Sequence, residues 1–397
     1  MRLGKKTQGI KPSVTLALAA KAQVLRAEGV DLVNFTAGEP DFDTPQRIKD
    51  AAIEALKKGM TKYTDVRGIE PLRLAIVEKY RREYGLEYTK DEVLVSCGGK
   101  HALYNLVQAL IDDGDEVVIP SPYWVSYADI VLLAGGVPKL VETKEANGFR
   151  ITPAELENAL TPKTRMFILN SPSNPTGAAY DRDEIDALSR VLERHDCLIL
   201  SDDIYEKIVY DGFKFHQIAA LNPKLRDRTI ITNAVSKTYA MTGWRIGYAV
   251  GPKEAVAAAS KIQSQSTSNP TSIAQAAALE AIRGPQDEVP IMVAEFKKRR
   301  DAIVARLAAI PGIGCFKPQG AFYVFPNVRA LFGKKYKDKA LATPADVVEY
   351  FLDTARVLAV PGEDFGSQEN IRISYATSMQ EIENGCARIA EAVRALG

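Results

Sequence analysis

Lys237 is the residue of this sequence whose surroundings most clearly suggest chemistry. It follows the β-branched run Thr229-Ile-Ile-Thr232 and lies in the small, polar stretch Asn233-Ala-Val-Ser-Lys-Thr-Tyr-Ala-Met-Thr-Gly-Trp-Arg-Ile-Gly-Tyr248. An amine at the mouth of a buried strand loses hydration, which lowers its pKa and allows it to attack a carbonyl and form a Schiff base. A lone Ser-Lys pair is more often a solvated loop, because lysine side chains are mostly exposed. The stretch as a whole favours a reactive lysine.

Two further charged groups are predicted to be buried and to need a partner. The acidic pair Asp202-Asp203 follows the apolar run Leu198-Ile-Leu-Ser201. A buried carboxylate without a partner is costly, so a cation is expected beside this pair. Arg372 alternates with apolar neighbours in Asn370-Ile-Arg-Ile-Ser374, which directs its side chain inward. A buried guanidinium requires a planar anion, and a carboxylate matches its geometry.

Glycine-rich and aromatic stretches suggest the rest of a binding site. Ser96-Cys-Gly-Gly-Lys100 joins a strand to a helix, where bare backbone amides suit an anion such as phosphate. Trp124, one of two tryptophans, could stack on a planar heterocycle, although tryptophan is usually a core residue. Taken alone, Asn170-Ser-Pro-Ser-Asn-Pro-Thr-Gly177 and Thr36-Ala-Gly-Glu-Pro-Asp-Phe42 indicate ordinary turns.

Seven short apolar runs must position these residues. They are Glu92–Ser96, Glu116–Ile119, Val137–Val141, Arg165–Leu169, Leu198–Ser201, Thr229–Thr232 and Ile246–Val250. Continuous rather than alternating hydrophobicity predicts strands buried on both faces of a mainly parallel sheet that helices cover. A long helix over 289–308 and a final helix from about Ser378 are predicted to belong to a second domain. Ligands of such sheets bind beyond the carboxyl ends of the strands, where the polar residues above are placed.

The stretch around Lys237 resembles the cofactor-lysine signature of the fold-type I, class I/II aminotransferases, which use pyridoxal 5'-phosphate. Its pattern is Ser-Lys-x-x-x-Met-x-Gly-x-Arg-x-Gly-Tyr, and further family motifs follow one another in the expected order from Gly38 to Arg372. The resemblance implies a mainly parallel seven-stranded sheet in a large domain plus a smaller α/β domain. We expect residues 1–44 to form an N-terminal segment of the small domain, 45–287 the large cofactor-binding domain, and 288–397 the small C-terminal domain.

The resemblance also implies roles for individual residues. Lys237 holds the cofactor and moves a proton between the substrate Cα and the cofactor C4′. The cofactor-binding residues are Gly98, Gly99, Lys100 and Arg245 beside the phosphate, Trp124 on the ring, Asp202 at the ring nitrogen, Asn174 and Tyr205 at the ring oxygen, and Tyr63 on the phosphate of the neighbouring subunit. The substrate contacts are Gly38, Trp124, Asn174 and Arg372, whose guanidinium takes the α-carboxylate. Asp203 is expected to face solvent or to cap the next helix.

The expected reaction moves an amino group between L-aspartate and 2-oxoglutarate. The Gly-Gly-Lys100 and Pro-Tyr-Trp-Val-Ser-Tyr127 segments resemble the bacterial and archaeal aspartate aminotransferase branch called subgroup I-beta, some of whose members also use prephenate. A second substrate carboxylate needs a second cation. Lys100 and Lys11 are the candidates, and each could instead be a solvated surface lysine. Alanine, aromatic and kynurenine aminotransferases and the lyase ACC synthase share the scaffold and stay open as alternatives.

Composition bears on partners and location. Lys plus Arg number 51 and Asp plus Glu 50, so the net charge of +1 predicts no nucleic-acid partner. A ligand-sensing module of a transcription regulator would need a DNA-binding domain, and no basic helix-turn-helix precedes Gly38. Four scattered cysteines and the lack of a long apolar run favour a reducing cytoplasm and no membrane span. Tyr63 and Ser266-Thr-Ser-Asn-Pro270 resemble family elements that reach the partner's cofactor, which predicts a homodimer with shared active sites.

Overall fold

A seven-stranded sheet is the centre of the computed structural model, which describes residues 4, 8–10, 14–337 and 339–396, without the side chains of residues 14–16 and 19. The strands, in chain order, are β1 (Val33–Asn34), β2 (Val93–Ser96), β3 (Glu116–Ser121), β4 (Val137–Glu142), β5 (Thr164–Asn170), β6 (Leu198–Asp202), β7 (Thr229–Ala234), β8 (Gly247–Val250), β9 (Tyr323–Val324), β10 (Lys335–Tyr336), β11 (Lys339–Ala340), β12 (Val357–Leu358), β13 (Val360–Pro361) and β14 (Ile371–Ser374). Each apolar run of the sequence contains one strand of the large sheet, so the predicted α/β architecture is confirmed.

The order of the large sheet is β2-β8-β7-β6-β5-β3-β4. Neighbouring strands from β7 to β4 are parallel, whereas β8 is antiparallel to both β7 and β2. The prediction of a mainly parallel sheet is therefore confirmed, with β8 as the exception. Its direction follows from the connection over residues 235–246, which returns the chain at the same end of the sheet instead of crossing over as a parallel pairing requires.

Helices alternate with these strands. They are α1 (Val14–Ala27), α2 (Gln46–Lys57), α3 (Glu70–Tyr84), α4 (Gly99–Leu110), α5 (Ser126–Ala134), α6 (Pro153–Ala159), α7 (Arg182–Glu193), α8 (Ile218–Leu221), α9 (Val235–Thr238), α10 (Lys253–Ser266), α11 (Ser272–Arg283), α12 (Glu288–Ala308), α13 (Pro344–Tyr350) and α14 (Met379–Ala395). The two predicted C-terminal helices are α12 and α14, and Ser378 caps α14 through its side chain. Among the helices that the structure describes, none is long and apolar enough to cross a membrane.

Both faces of the inner strands of the sheet are buried, as the continuous hydrophobic runs predict, whereas Val137 and Leu140 of the edge strand β4 are exposed. Alternate residues of β2 enter different cores: Val93 and Val95 pack with α2, α3 and α11, and Leu94 packs with α4 and α10. The same alternation separates Ile231 from Ile230 in β7. Because neither face of the inner strands has access to water, polar side chains collect at the ends of these strands, and that places them together at the carboxyl edge.

A second core lies beneath a three-stranded antiparallel sheet of order β13-β14-β9. Helices α12 and α14 pack together beside it. The N-terminal strand β1 pairs in parallel with β12, and Phe35 is buried in the same core. We therefore propose the division expected from the sequence, in which residues 1–44 and 288–397 form a small domain and 45–287 the large one.

A buried ion pair ties α3 to the turn that follows β6. The Lys79 ammonium lies 2.6 Å from the Glu206 carboxylate, and both side chains are almost fully buried. Asn233 of β7 donates to Glu206 at 2.9 Å, and Tyr84 donates to its other oxygen. Burial opposes the charge on Lys79, yet the nearby carboxylates raise its pKa above the ordinary value. Lys79 therefore stays charged, and the pair connects strands β6 and β7 at the carboxyl edge of the sheet.

Removal of one partner of this pair is expected to destabilise the protein strongly. Lys79→Met leaves an unpaired carboxylate, and such losses cost about 3 to 5 kcal/mol of unfolding free energy. The double variant Lys79→Met/Glu206→Gln removes that charge and should regain part of the loss. Urea unfolding midpoints measure both effects. Lys57→Met, which breaks the exposed Lys57–Glu54 pair, is the control; equal effects of Lys79→Met and Lys57→Met would contradict this account.

Candidate active site

Lys237 lies in α9, directly beyond the carboxyl end of β7. Its Nζ donates to the Gly38 carbonyl oxygen at 2.5 Å, which joins the N-terminal segment to the centre of the sheet. The pKa of Lys237 is lowered to about 8, chiefly by burial and also by the positive charges of Arg245, Arg372 and Lys100, against the opposing effect of Glu39. Roughly a tenth of this amine is therefore neutral, and hence nucleophilic, at pH 7.

A bare backbone surface lies between the end of β2 and the start of α4. Gly98 has a φ of +99°, a region that favours glycine, and α4 begins at the next residue. A Cβ on Gly98 would overlap the Arg245 guanidinium, and a Cβ on Gly247 would overlap the backbone of Gly99. The close approach of these strands thus requires glycine. The bare glycine backbone leaves the N-terminal amides of α4 beside the Arg245 guanidinium, an arrangement that suits a phosphate group.

Asp202 is a buried carboxylate without a cation. Its Oδ2 accepts a hydrogen bond from the Tyr127 hydroxyl at 2.6 Å, and Oδ1 accepts one from the Ile204 amide at 3.3 Å. Burial raises the pKa of Asp202 to about 6, although both hydrogen bonds lower it. In the described part of the chain no lysine, arginine or histidine forms an ion pair with it. A cationic ring nitrogen would supply the missing charge.

The expectation that Asp203 faces solvent or caps a helix is wrong. Asp203 is 1% exposed, its amide donates to the Thr232 carbonyl at 2.9 Å, and Ser201 donates to its Oδ1 at 2.6 Å. Successive residues of an extended chain point to opposite faces, and both faces of β6 are covered, so neither aspartate can reach water. Burial, and then the charge of Glu206, raise the pKa of Asp203 well above its usual range, so the surroundings disfavour its ionised form.

Arg372 on β14 is a buried cation whose partners are all neutral. Its Nη1 donates to Asn174 Oδ1 at 3.1 Å and its Nη2 to the Thr36 carbonyl at 2.9 Å, while Nε is buried without a partner. Burial lowers the pKa of Arg372 from its ordinary value. Among the ion pairs of the described residues, none includes this guanidinium. The unused donor and the unbalanced charge fit an incoming carboxylate.

Aromatic side chains line the space between these charges. The Tyr205 hydroxyl lies 3.0 Å from that of Tyr323, over whose ring the Arg372 guanidinium sits at 4.7 Å. Trp124 is half-buried and stands nearly perpendicular to Tyr127, with ring centroids 5.3 Å apart. The Lys100 ammonium lies 4.9 Å from the Trp124 ring, and burial followed by the charge of Arg245 lowers its pKa.

Of the predicted site residues that the structure describes, Tyr63 is not brought into this cluster. Tyr63 is 90% exposed, on the loop that precedes α3. Lys11 lies outside the described residues, so its prediction stays open. The other predicted residues of the cofactor and substrate sites gather at the carboxyl edge: Gly38, Gly98, Gly99, Lys100, Trp124, Asn174, Asp202, Tyr205, Lys237, Arg245 and Arg372.

Sequence reasoning missed Tyr127 as the partner of Asp202, and Tyr323 as the partner of Tyr205. Tyr127 lies three residues after Trp124, a spacing that brings two side chains to one face at the start of a helix, so the pattern could have indicated it. Tyr323 belongs to the Gly320-Ala-Phe-Tyr-Val-Phe325 run, where alternation alone gives no sign of a polar contact.

The cluster fits pyridoxal phosphate group by group. The glycine surface with Arg245 suits the phosphate, Asp202 suits a protonated ring nitrogen, and the amine of Lys237 suits a carbonyl carbon. The unpartnered Nε of Arg372 remains for a substrate carboxylate. Among the described residues, no group of His, Cys, Asp and Glu side chains could hold a metal ion.

Comparison with known proteins gives a consistent picture. The family model "Aminotransferase class I and II" matches residues 30–389. The chain is 50% identical to the aspartate aminotransferase of Geobacillus stearothermophilus, over 98% of each chain. It is 51% identical to the aspartate/prephenate aminotransferase of Cereibacter sphaeroides, over 96% of each.

Solved structures agree over the whole length of the chain. The aspartate aminotransferase of Rhizobium meliloti superposes with a TM-score of 0.96 at 46% identity, covering 99% of each chain. That of Thermus thermophilus with maleate gives 0.93 at 43% identity, covering 99% of this chain and all of the other. The seven-stranded sheet, the lysine of lowered pKa at its carboxyl edge and these full-length matches lead to one conclusion: the chain belongs to the class I and II aminotransferases, which use pyridoxal 5'-phosphate.

Proposed function

We propose that this protein transfers the amino group between L-aspartate and 2-oxoglutarate, giving oxaloacetate and L-glutamate. The observation that carries the proposal is Arg372, a buried guanidinium with an unused Nε donor in the same site as an amine whose pKa is about 8. An amino acid offers the α-carboxylate that the arginine needs. The names of the similar proteins support aspartate as the amino donor, and some of them add prephenate as an acceptor.

Each residue of the site then has a physical task. Bound pyridoxal phosphate supplies an electron sink for the pair left at the substrate Cα when its proton is removed. The neutral amine of Lys237 accepts that proton and later returns one. When the cofactor is bound, Asp202 would hold a proton on the ring nitrogen, and Asn174 and Tyr205 would contact the ring oxygen. Arg372 fixes the α-carboxylate, so that the Cα–H bond is presented to the lysine.

The distal carboxylate of aspartate needs a second cation, and Lys100 is the proposed one. Its ammonium lies over the Trp124 ring, and its positive charge is one of those that lower the pKa of Lys237. Lys11 stays the second candidate. The Lys100 side chain is exposed in the structure. A bound substrate would remove it from water, and an apolar substrate side chain would then leave the lysine unpaired, which discriminates between acidic and apolar substrates.

We also propose that the active unit is a two-fold homodimer with shared sites. The Tyr63 side chain is 90% exposed although its loop is held against the large domain. An exposed aromatic ring on a fixed loop is typical of a surface that another molecule covers. Segment 266–270 lies beside the same loop, through the contact of Gln275 with both.

Lys237→Ala should abolish amino-group transfer and still bind the cofactor, because the phosphate and ring contacts remain. Borohydride reduction of the wild-type holoenzyme, followed by peptide mapping, should find the cofactor label on Lys237 and none in the variant. Lys100→Ala is the control and should keep the label. A label on Lys100 or another lysine in the wild type would sink the assignment of Lys237.

Asp202→Asn should stabilise the cofactor-free protein at pH 8. The folded pKa of about 6 lies above the unfolded value, so Asp202 favours folding as the neutral acid at low pH and that contribution is lost as the pH rises through 6. The difference between the folded and unfolded pKa corresponds to roughly 3 kcal/mol. We expect a higher melting temperature for the variant at pH 8 and a smaller difference at pH 5, while amino-group transfer falls. Asp196→Asn on the surface is the control; a lower melting temperature for Asp202→Asn at pH 8 would argue against a buried, unpaired carboxylate.

Lys100→Ala should impair acidic substrates selectively. Loss of a desolvated, charge-assisted contact of about 1.5 to 3 kcal/mol lowers kcat/KM for aspartate by roughly ten- to a hundredfold and leaves alanine and phenylalanine nearly unchanged. Lys11→Ala provides the parallel test of the second candidate, and arogenate tests prephenate-derived specificity. Equal losses for acidic and apolar substrates in both variants would show that neither lysine binds the distal carboxylate.

A further inference from the structure

Gln275 on α11 connects the two segments that are proposed to reach the partner subunit. Its side chain is fully buried, and both the oxygen and the nitrogen of its amide form hydrogen bonds. The Oε1 atom accepts a hydrogen bond from the Ile69 amide at 2.7 Å. The Nε2 atom donates to Thr64 Oγ1 at 3.1 Å and to the Pro270 carbonyl at 2.8 Å. One amide therefore fixes the loop of Tyr63 and segment 266–270 relative to each other.

The same loop is held at two more points. Ser272 donates to the Met60 carbonyl at 2.7 Å, just before Tyr63. Gln263, also fully buried, donates to the carbonyls of Val66 at 2.6 Å and Val95 at 2.8 Å, and Ser96 donates to its Oε1 at 2.5 Å. These bonds anchor the loop to the end of β2, immediately before the Gly98–Gly99 surface.

The base of the loop is also closely packed. Gly68 has a φ of +93°, and a Cβ there would lie 2.7 Å from Val95 Cβ and 3.2 Å from Gln275 Oε1. The loop, which connects α2 to α3, is thus rigid where it packs against β2, and its tip carries an aromatic side chain that is 90% exposed. A preorganised contact requires rigid support beneath the exposed side chain. The conformational entropy of the loop is then lost on folding, so binding does not carry that cost.

We propose that Gln275 is a positioning residue that acts in trans: it fixes the Tyr63 loop of one subunit so that this loop completes the cofactor site of the other. The inference rests on the proposed homodimer with shared sites. It makes a prediction that a purely structural role does not make. A change at Gln275 should weaken cofactor binding in the partner's site and leave the site of its own chain nearly unaffected.

Hybrid dimers of two differently tagged chains separate the two cases. In each hybrid one chain carries Lys237→Ala, so the cofactor can be linked to a lysine in the other chain only. In the trans hybrid, Gln275→Leu lies in the Lys237→Ala chain; in the cis hybrid, it lies in the chain that keeps Lys237. The measurement is the pyridoxal phosphate concentration that half-saturates the lysine-linked absorbance, together with the melting temperature of each hybrid.

The trans hybrid should bind the cofactor about tenfold more weakly than the parent hybrid of wild-type and Lys237→Ala chains. The reason is that Gln275→Leu misplaces the Tyr63 loop, so that the contact of Tyr63 with the phosphate in the other subunit is lost. The cis hybrid should stay within about twofold of that parent. Equal weakening in both hybrids, or none in the trans hybrid, would overturn the proposal. If Gln275→Leu impairs folding, Gln275→Glu keeps the acceptor for the Ile69 amide, loses both donors and should give the same asymmetry.

Two controls make the outcome specific. Gln217→Leu removes another buried glutamine, one that caps α8, and should lower stability without any difference between cis and trans. Tyr63→Phe in the same two placements tests the shared site itself. Asymmetry with Tyr63→Phe but none with Gln275→Leu overturns the inference alone. No asymmetry with Tyr63→Phe overturns the proposed shared site and, with it, the inference.

Discussion

The structure depends on charges that are buried at the carboxyl edge of a sheet without counter-ions of their own. Asp202 and Arg372 are each almost fully buried, and both are hydrogen-bonded to neutral groups of the chain. In the interior such charges are unfavourable unless something compensates them. In the proposed site, a cofactor with a cationic ring nitrogen and a substrate with a carboxylate would supply that compensation. The site would then be complete only when both ligands are bound.

Hydrogen bonds around the reactive lysine join the two proposed domains. The Gly38 carbonyl accepts a hydrogen bond from the Lys237 amine, and the Glu39 carboxylate accepts one from the Thr242 hydroxyl at 2.6 Å. Asp41 forms an ion pair with Arg299 of α12 at 2.6 Å. The segment over residues 38–41 therefore contacts the large domain at one end and the small domain at the other. A substrate that binds between Arg372 and Lys237 meets both domains through this segment, which links substrate position to the relative placement of the domains.

Much of this site can be predicted from the sequence, because its motifs are local. A strand end, a glycine pair and a lysine lie within a few residues of one another, and a parallel sheet brings such strand ends to one edge. The expectation that Asp203 faces solvent or caps a helix is wrong, because the burial of this residue depends on helices that cover both faces of β6. Tyr323 meets Tyr205 across more than a hundred residues, which no local pattern encodes. In the proposal, Tyr63 acts only in the homodimer, so a single chain does not explain why its side chain is exposed.

The most direct test of the account is a half-reaction followed by the absorbance of the bound cofactor. The holoenzyme is mixed with L-aspartate or with its α-amide, which differ only in the group that Arg372 is proposed to bind. Aspartate should convert the cofactor completely, 2-oxoglutarate should restore the starting spectrum, and the α-amide should react at least about a hundredfold more slowly, as expected for the loss of a buried, charge-assisted contact. Equal rates for the two compounds, or no spectral change with aspartate, would contradict the claim that the unpaired guanidinium of Arg372 organises this site for amino-acid substrates.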